Sequence, residues 1–147
     1  MSVTDSVLAP FALPFVFRQP DRLVPPPSWI AHIPFAFWVV HATKPTTLVE
    51  LGAYSGSSYC GFCQAVQMLN LPTQCFAVDT WKGDEHASYY GDGVYSDLLK
   101  YHDARYSGFS RLVRTTFDNA VAHFQDGSID LLHIDGLHSY EAVRHDF

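Results

Sequence analysis

The sequence predicts an α/β domain built on a parallel β-sheet, and three observations support this. Short apolar runs rich in β-branched residues alternate with segments that fit amphipathic helices. Such alternation is typical of right-handed βαβ units, which place consecutive strands parallel. The 147 residues suit one domain, and 48% hydrophobic against 16% charged residues favours a packed core over intrinsic disorder.

The first strand and helix have the clearest pattern. Residues 46–51 form a β-branched apolar run that ends at Gly52, which predicts a buried strand. In the segment that follows, apolar side chains recur at helical spacing and form one face. Asn70 and Pro72 predict the end of this helix. The positions on its predicted apolar face are Tyr59, Phe62, Cys63, Val66 and Leu69.

The rest of the chain continues the alternation. Strands are predicted at residues 74–79, 111–114 and 129–135, helices at 95–106 and 118–125, and a polar, glycine-containing stretch at 82–93. Ser139 is predicted to cap a last helix, whose apolar positions are Tyr140, Val143 and Phe147.

Residues 1–45 differ in composition from residues 46–147, and we call them the lead segment. The lead segment holds eight of the nine prolines and no glycine. Because proline lacks a backbone N–H, an extended or short-helical segment is predicted and a long helix is not. Its aromatic side chains are expected to pack against the body of the chain or a partner. They are Phe11, Phe15, Phe17, Trp29, Phe35, Phe37 and Trp38.

Charge and targeting patterns exclude several classes of protein. The formal net charge of −6 argues against a nucleic-acid binder. No base precedes Arg18, and the apolar runs are short or broken by proline, so neither a signal peptide nor a membrane span is predicted. Three cysteines are an odd number for a secreted disulfide scaffold, and we expect a cytoplasmic protein.

Two loops at predicted strand ends are candidate ligand sites, because ligands on open α/β sheets bind there. Gly52 and Gly56 have the spacing Gly-x-x-x-Gly, which is neither the dinucleotide nor the P-loop pattern. Asp79 lies 23 residues after Gly56, where both oxygens of a carboxylate can accept hydrogen bonds from vicinal ribose hydroxyls. Trp81 is placed to stack against a base. Each feature alone also fits an ordinary turn or helix cap.

A third loop combines a carboxylate with imidazoles. His133 and Asp135 are two residues apart and share a strand face, and His138 follows the turn at Gly136. Such a set can ligate a metal or act as a general base. In the structural alternative, Asp135 is a turn residue and His133 is a core histidine with a backbone partner. For His133 we prefer that alternative.

Taken together, three segments resemble the class I S-adenosylmethionine-dependent methyltransferases. The segments are VELGAYSG, CFAVDTWKGD and SIDLLHIDGLHSYEAVRHDF, and the resemblance covers residues 29–147. It is closest to small O-methyltransferases that occur alone or fused to glycosyltransferases. The resemblance implies a Rossmann-like, doubly wound, mainly parallel sheet. This chain would hold the first four of its seven strands, so we expect a fragment.

The resemblance also implies a role for each matching residue. Glu50 matches an acidic residue near the amino-acid end of the cofactor, and Asp79 matches the ribose-binding carboxylate. Asp135 matches a residue that contacts the cofactor and, in metal-dependent relatives, a divalent cation, usually Mg²⁺. His138 matches a histidine that can act as the base. The other implied cofactor contacts are Gly52, Ala53, Tyr54, Gly56, Ser58, Thr80, Trp81, Thr116 and Phe117.

The implied activity is methylation of a hydroxyl group by S-adenosylmethionine. The implied acceptor is a sugar or a glycosylated small molecule, and a glycosyltransferase and an oligomer are the implied associations. A hydroxyl is a poor nucleophile, so a cation that lowers its pKa and an imidazole that accepts its proton suit this chemistry. Asp135 alone does not make the near-octahedral oxygen site that Mg²⁺ requires.

Three other interpretations stay open. Cys60 and Cys63 form a C-x-x-C pattern that suits a thiol-disulfide oxidoreductase, although Cys63 falls on the predicted apolar face. His133, Asp135 and His145 faintly match a two-histidine, one-carboxylate iron site, which is usually carried by β-barrels. The chain would also suit a non-catalytic module that binds the cofactor or serves as a glycosyltransferase scaffold.

Overall fold

A four-stranded parallel sheet forms the centre of the molecule. The computed structural model describes residues 13–84 and 88–147. The strands of the sheet lie in the order β5-β2-β1-β6, and a short antiparallel hairpin, β3-β4, flanks it. The predicted parallel α/β architecture is therefore confirmed. The strands are β1 Thr47–Leu51, β2 Gln74–Asp79, β3 Gly83–Asp84, β4 Ser88–Tyr89, β5 Ser110–Arg114 and β6 Leu131–Ile134.

Five α-helices accompany the strands in the described part of the chain. They are α1 Ile33–Thr43, α2 Ser57–Met68, α3 Gly93–Arg105, α4 Phe117–Val121 and α5 Tyr140–Asp146. Ser139 caps α5 as predicted, since its hydroxyl accepts a hydrogen bond from the Ala142 amide. Helix α4 ends four residues before the predicted end at residue 125. The predicted apolar positions of α5 are exposed in this chain.

Of the two forms predicted for the lead segment, extended or short-helical, residues 33–43 take the helical one and form the eleven-residue helix α1. Pro34 lies in the first turn, where no helical partner is needed for its missing N–H, and Pro45 follows the end of the helix. The two prolines therefore bound the helix and do not interrupt it. Short 3₁₀ turns at Pro14–Phe17 and Ile30–His32 precede it.

Helix α2 is the centre of the larger hydrophobic cluster. All of its residues from Ser58 to Val66 are buried, so burial extends beyond the single predicted face. Phe37 and Val40 of α1 have no exposed surface and belong to the same cluster, which confirms packing of the lead segment against the body. Phe17 and Phe35 are more than half exposed, and Phe11 lies outside the described residues.

Hydrogen bonds tie the lead segment to the body before α1 begins. The Gln64 side chain donates to the Gln19 carbonyl and accepts from the Asp21 amide. The Arg22 guanidinium donates to the Ser55 carbonyl at 2.9 Å and to Asp97 at 2.7 Å. These contacts direct the segment across α2 toward the edge of the sheet where the strands end.

A second, smaller cluster covers the other face of the sheet. Val49, Val78 and Ala120 of α4 form its buried part. Helices therefore pack on both faces, as in a doubly wound sheet. No described helix has the length and apolar character needed to cross a membrane.

Candidate functional site

An open cleft of about 1170 Å³ lies at the carboxyl ends of the parallel strands. Parallel strands end at one edge of the sheet, so residues far apart in sequence meet there. The predicted site residues that line it are Gly52, Tyr54, Asp79, Thr80, Thr116, Phe117, Asp135 and His138. The predicted site residues that lie beneath or beside the cleft are Glu50, Ala53, Gly56, Ser58 and Trp81.

The loop after β1 is held by Asp79. Oδ2 of Asp79 accepts hydrogen bonds from the Ala53 and Tyr54 amides, both at 2.9 Å, and Oδ1 accepts from the Trp81 amide at 2.7 Å. A carboxylate has about four acceptor positions, so three are used and one remains on Oδ1. The ribose-binding role predicted for Asp79 stays a prediction, and the amides leave one acceptor position of this carboxylate for a hydroxyl.

Gly52 allows the first and third loops to touch. Its φ is +88°, and a Cβ at this position would overlap the carbonyl oxygen of Asp135. Gly56 has φ +80°, and a Cβ there would overlap the side chain of Leu98 of α3. Gly52 therefore permits the close approach of two backbone segments, and Gly56 permits close packing against a helix.

Trp81 does not reach the cleft, and the expectation that it stacks on a base is wrong. The side chain has no exposed surface. Its Nε1 donates to the Tyr54 carbonyl at 2.8 Å, and its ring packs 4.8 Å from the ring of Tyr95. Trp81 thus supports the Tyr54 loop from below.

Glu50 and His133 form a pair between neighbouring strands. The two residues are aligned in the register of β1 and β6, and His133 Nδ1 lies 3.0 Å from Oε2 of Glu50. The hydroxyl of Ser58 donates to Oε1 at 2.8 Å. Glu50 has no exposed surface, so burial raises the pKa of its carboxyl despite these partners.

His133 reaches the cleft from this buried pair. Burial lowers the pKa of His133, but the hydrogen bond and charge of Glu50 outweigh that effect, and the pKa is raised overall. The expected backbone partner for His133 is wrong, because a carboxylate takes that place. The ring of His133 lines the cleft beside Asp135.

Asp135 connects the third loop to the lead segment. Its Oδ1 lies 2.9 Å from Nε2 of His138, and its Oδ2 accepts a hydrogen bond from Nε1 of Trp29 at 3.2 Å. His138 is largely exposed and Asp135 is partly buried. A carboxylate that orients an exposed imidazole can support acid–base chemistry at the rim of the cleft.

Thr116 and Phe117 form another part of the cleft wall. Thr116 caps α4 by accepting a hydrogen bond from the Asn119 amide at 3.3 Å. The ring of Phe117 approaches Gly136, where an added Cβ would lie 2.8 Å from it. A flat apolar side chain beside a glycine turn offers a surface on which a planar ring can stack.

The residues at this edge do not fit a magnesium site. Within residues 13–84 and 88–147, no three His, Cys, Asp or Glu side chains are grouped so that they could hold a metal ion. Both oxygens of Asp135 already contact nitrogen groups. Mg²⁺ prefers several oxygen ligands in octahedral geometry, so Asp135 alone does not meet this requirement.

The structure also argues against a reactive thiol at Cys60 and against an iron site that includes His145. Cys60 and Cys63 are buried, and burial raises the pKa of Cys60 to about 12, which is opposite to an activated thiol. Nε2 of His145 lies 2.8 Å from Asp118, and its hydrogen bond to that carboxylate raises the pKa of His145. His145 thus pairs away from Asp135.

Some residues of the cleft carried no signal in the sequence. Trp29 and His32 come from the proline-rich lead segment, and Tyr90 follows the β3-β4 hairpin. Tyr90 packs 4.9 Å from the ring of Tyr54. None of these residues stands at a diagnostic spacing from the predicted site loops. The only signal for them in the sequence is the high share of aromatic residues, which does not say where in the fold they lie.

Comparison with known proteins places this geometry in a family context. Residues 49–147 match a family described as a methyltransferase domain. The uncharacterized protein y4gI of Sinorhizobium fredii is 50% identical over 129 residues, which are 88% of this chain and 14% of that protein. The chain therefore spans about one seventh of that relative.

Two solved structures share the fold. The methyltransferase PaMTH1 of Podospora anserina, solved with SAH bound, has a TM-score of 0.58 at 14% identity, covering 77% of this chain and 44% of that one. Cofactor-bound Rv0187 from MTB has a TM-score of 0.54 at 12% identity, covering 91% of this chain and 52% of that one. The chain thus spans about half the length of these relatives.

Proposed function

The chain belongs to the family of methyltransferase domains, and from that premise we propose that it binds S-adenosylmethionine in the cleft and takes part in methyl transfer to a hydroxyl group. The main support is the coincidence of two observations. The family match covers residues 49–147, and the cleft is lined by residues from each strand end within that match.

The size and lining of the cleft suit a nucleoside cofactor beside a second molecule. Small-molecule sites commonly enclose roughly 300–1,000 Å³, and this cleft has about 1170 Å³. The backbone turn at Gly52 would hold the amino-acid end of the cofactor. The remaining acceptor position of Asp79 would bind one ribose hydroxyl, and Phe117 would stack on the adenine.

Glu50 and Ser58 act in this proposal through His133. Glu50 is buried and does not line the cleft, so in this proposal its side chain does not contact the bound cofactor directly. It holds the His133 ring, which does line the cleft. The two residues are therefore positioning groups, which modifies the direct contact implied by the resemblance.

His138 is the proposed base. Because a carboxylate accepts hydrogen bonds and donates none, the proposal assigns the hydrogen to Nε2 of His138, which faces Asp135, and the lone pair to Nδ1. The acceptor hydroxyl gives its proton to Nδ1 as its oxygen forms a bond to the methyl carbon. The carbon–sulfur bond would break with its electron pair left on sulfur, so that S-adenosylhomocysteine would be the second product. The cofactor supplies the electrophilic methyl group when bound, and no step requires a metal.

We propose a sugar hydroxyl, free or on a glycosylated small molecule, as the acceptor. The polar and aromatic lining suits such a molecule, since sugars combine hydroxyl groups with apolar ring faces that pack on side chains such as Tyr54. A glycosyltransferase that supplies the glycoside is the proposed partner. The three free and buried cysteines fit a reducing compartment, for which we propose the cytoplasm.

Calorimetric titration with S-adenosylmethionine is the direct test. The proposal expects saturable binding to the unaltered chain, and an absence of heat change at several temperatures would contradict it. Turnover with a panel of sugars and glycosides is then followed by formation of S-adenosylhomocysteine. His138→Ala should lower turnover more than cofactor affinity, whereas His123→Ala, at an exposed position after α4, should change neither. Binding without turnover for every acceptor would favour the non-catalytic module.

A further inference from the structure

We propose that Trp29 is a positioning residue of the cleft, which holds the Asp135 carboxylate in the orientation that aligns His138. The role of His138 rests on the proposed function, whereas the contact between Trp29 and Asp135 does not. The indole Nε1 donates to Oδ2 at 3.2 Å, while Oδ1 lies 2.9 Å from Nε2 of His138.

Two partners on opposite oxygens fix the rotation of this carboxylate. Without the N–H of Trp29, the carboxylate of Asp135 could rotate about its Cβ–Cγ bond. Oδ1 would then spend part of its time away from His138. A turned carboxylate would leave the imidazole free to change its ring orientation. By holding the carboxylate, the N–H of Trp29 keeps Nε2 of His138 paired with Oδ1 of Asp135.

The indole is itself held in place from two sides. Its ring packs edge-on against Phe62 of α2, with centroids 5.8 Å apart, and against His133, with centroids 5.2 Å apart. His133 is fixed by Glu50, whose carboxylate has no exposed surface. A rigid ring can direct its N–H to one acceptor with little loss of conformational entropy.

The lead segment gives this side chain its position. The hydrogen bonds of Gln64 and Arg22 fasten residues 19–22 to the body, and helix α1 fastens the chain again from Ile33. Trp29 lies between these two anchors and lines the cleft. The lead segment is thereby inferred to contribute to the site as well as to the core.

Hydrogen exchange of the indole N–H tests the contact without reference to catalysis. The chain has three tryptophans, and the Trp29 signal is the one missing from the spectrum of Trp29→Phe. In Asp135→Ala its exchange should become about tenfold faster, as expected for the loss of a charge-assisted hydrogen bond. The indole of Trp81, which donates to the Tyr54 carbonyl, should keep its rate and serves as the internal control. An unchanged Trp29 rate would overturn the proposal.

A double-mutant cycle tests the positioning role. Trp29→Phe should lower kcat by about tenfold with little change in the KM for S-adenosylmethionine, and should cause no further loss in the His138→Ala background. Trp38→Phe removes an indole from α1 and should leave kcat unchanged. Additive losses, or a loss confined to KM, would show that Trp29 has only a structural role and would overturn the inference.

The two arms separate this inference from the proposed function. If the unaltered chain has no turnover, the proposed function fails and so does the catalytic purpose of Trp29, while slow indole exchange would still support its contact with Asp135. Turnover together with fast indole exchange would overturn the positioning role alone. Should Trp29→Phe fail to fold, Asp135→Asn keeps the indole and removes the charge, and its indole exchange should also become faster.

Discussion

His133 and Glu50 are aligned across neighbouring parallel strands, and the imidazole Nδ1 lies 3.0 Å from the buried carboxylate. Because side chains at aligned positions of a parallel pair lie on the same face of the sheet, the register brings the two groups together. The pair connects the interior of the sheet to the cleft, since Glu50 is fully buried and His133 lines the cleft wall.

Glu50→Gln should lower the pKa of His133. In the unaltered chain, Glu50 raises that pKa above the usual 6.5 although burial acts in the opposite direction. Without the Glu50 carboxylate, burial still lowers the pKa and only the charge of Asp135 still raises it, so the pKa of His133 should fall from its value in the unaltered chain. Titration of the His133 ring by NMR measures this shift. Glu141→Gln, at an exposed position of α5, should leave the midpoint unchanged, and equal midpoints in all three proteins would contradict the pairing.

The raised pKa of His133 also predicts a direction for stability. The folded state holds this proton more tightly than the unfolded chain. Protonated His133 therefore adds to the free energy of unfolding. This stabilisation is complete below the usual pKa of 6.5 and is lost as the pH rises through the folded-state pKa. Urea denaturation across this range should show that loss, and Glu50→Gln should remove it.

Asp79→Ala should weaken binding of S-adenosylmethionine by about 1–3 kcal/mol, because a charge-assisted hydrogen bond is lost. It should also release the amides of Ala53 and Tyr54, whose acceptor is Oδ2 of Asp79. Calorimetry measures the first effect and amide hydrogen exchange the second. Asp126→Ala changes an exposed aspartate and provides the matched control. Unchanged affinity with faster amide exchange would leave Asp79 a purely structural role.

Gly52→Ala should lower the free energy of unfolding by at least about 2 kcal/mol, since it adds left-handed backbone strain and a steric clash. The added Cβ would overlap the Asp135 carbonyl, which is backbone and cannot turn away. Gly91→Ala adds the same atom at a position with nothing within 4 Å. That control should stay within about 0.5 kcal/mol of the unaltered chain. Equal stabilities for the two variants would refute the close approach of the loops.

Asp130→Asn should destabilise the chain in a pH-dependent way. Hydrogen bonds from the Thr47 and Thr46 amides lower the pKa of Asp130, so its contribution is complete above the usual 3.8 and is lost as the pH falls through the folded-state pKa. The variant should therefore be less stable than the unaltered chain at neutral pH, and the difference should shrink in acid. Urea denaturation over this range checks the trend. A difference that does not vary with pH would contradict it.

Alkylation of Cys60 should be slow in the folded chain. With a pKa of about 12 compared with an ordinary 9.0, the reactive thiolate is about a thousandfold rarer at neutral pH. Iodoacetamide labelling followed by peptide mass spectrometry measures the rate, and the same chain in denaturant is the reference. Native and denatured rates of similar size would restore the thiol redox interpretation.

Local patterns predicted most of the sheet. Strand β2 occupies the predicted residues 74–79, and β1 begins one residue later than predicted. Both strands lie largely in the core, and a run of β-branched and apolar residues is the pattern that predicts a buried strand. The number of prolines predicted only extended or short-helical structure in the lead segment, but their positions allow the three turns of helix α1, because proline fits the first turn of a helix.

The sequence by itself determined the fold class, the strand ends and the loops that meet at the cleft, because each depends on the periodicity of neighbouring residues. Only the tertiary structure decided which groups are paired. It occupies three acceptor positions of Asp79 with amides, buries Trp81, and brings Trp29 to Asp135 across 106 residues of chain. The physical reason is that hydrogen-bond partners and burial depend on strand register and helix packing, and these join segments whose separation leaves no periodic signal.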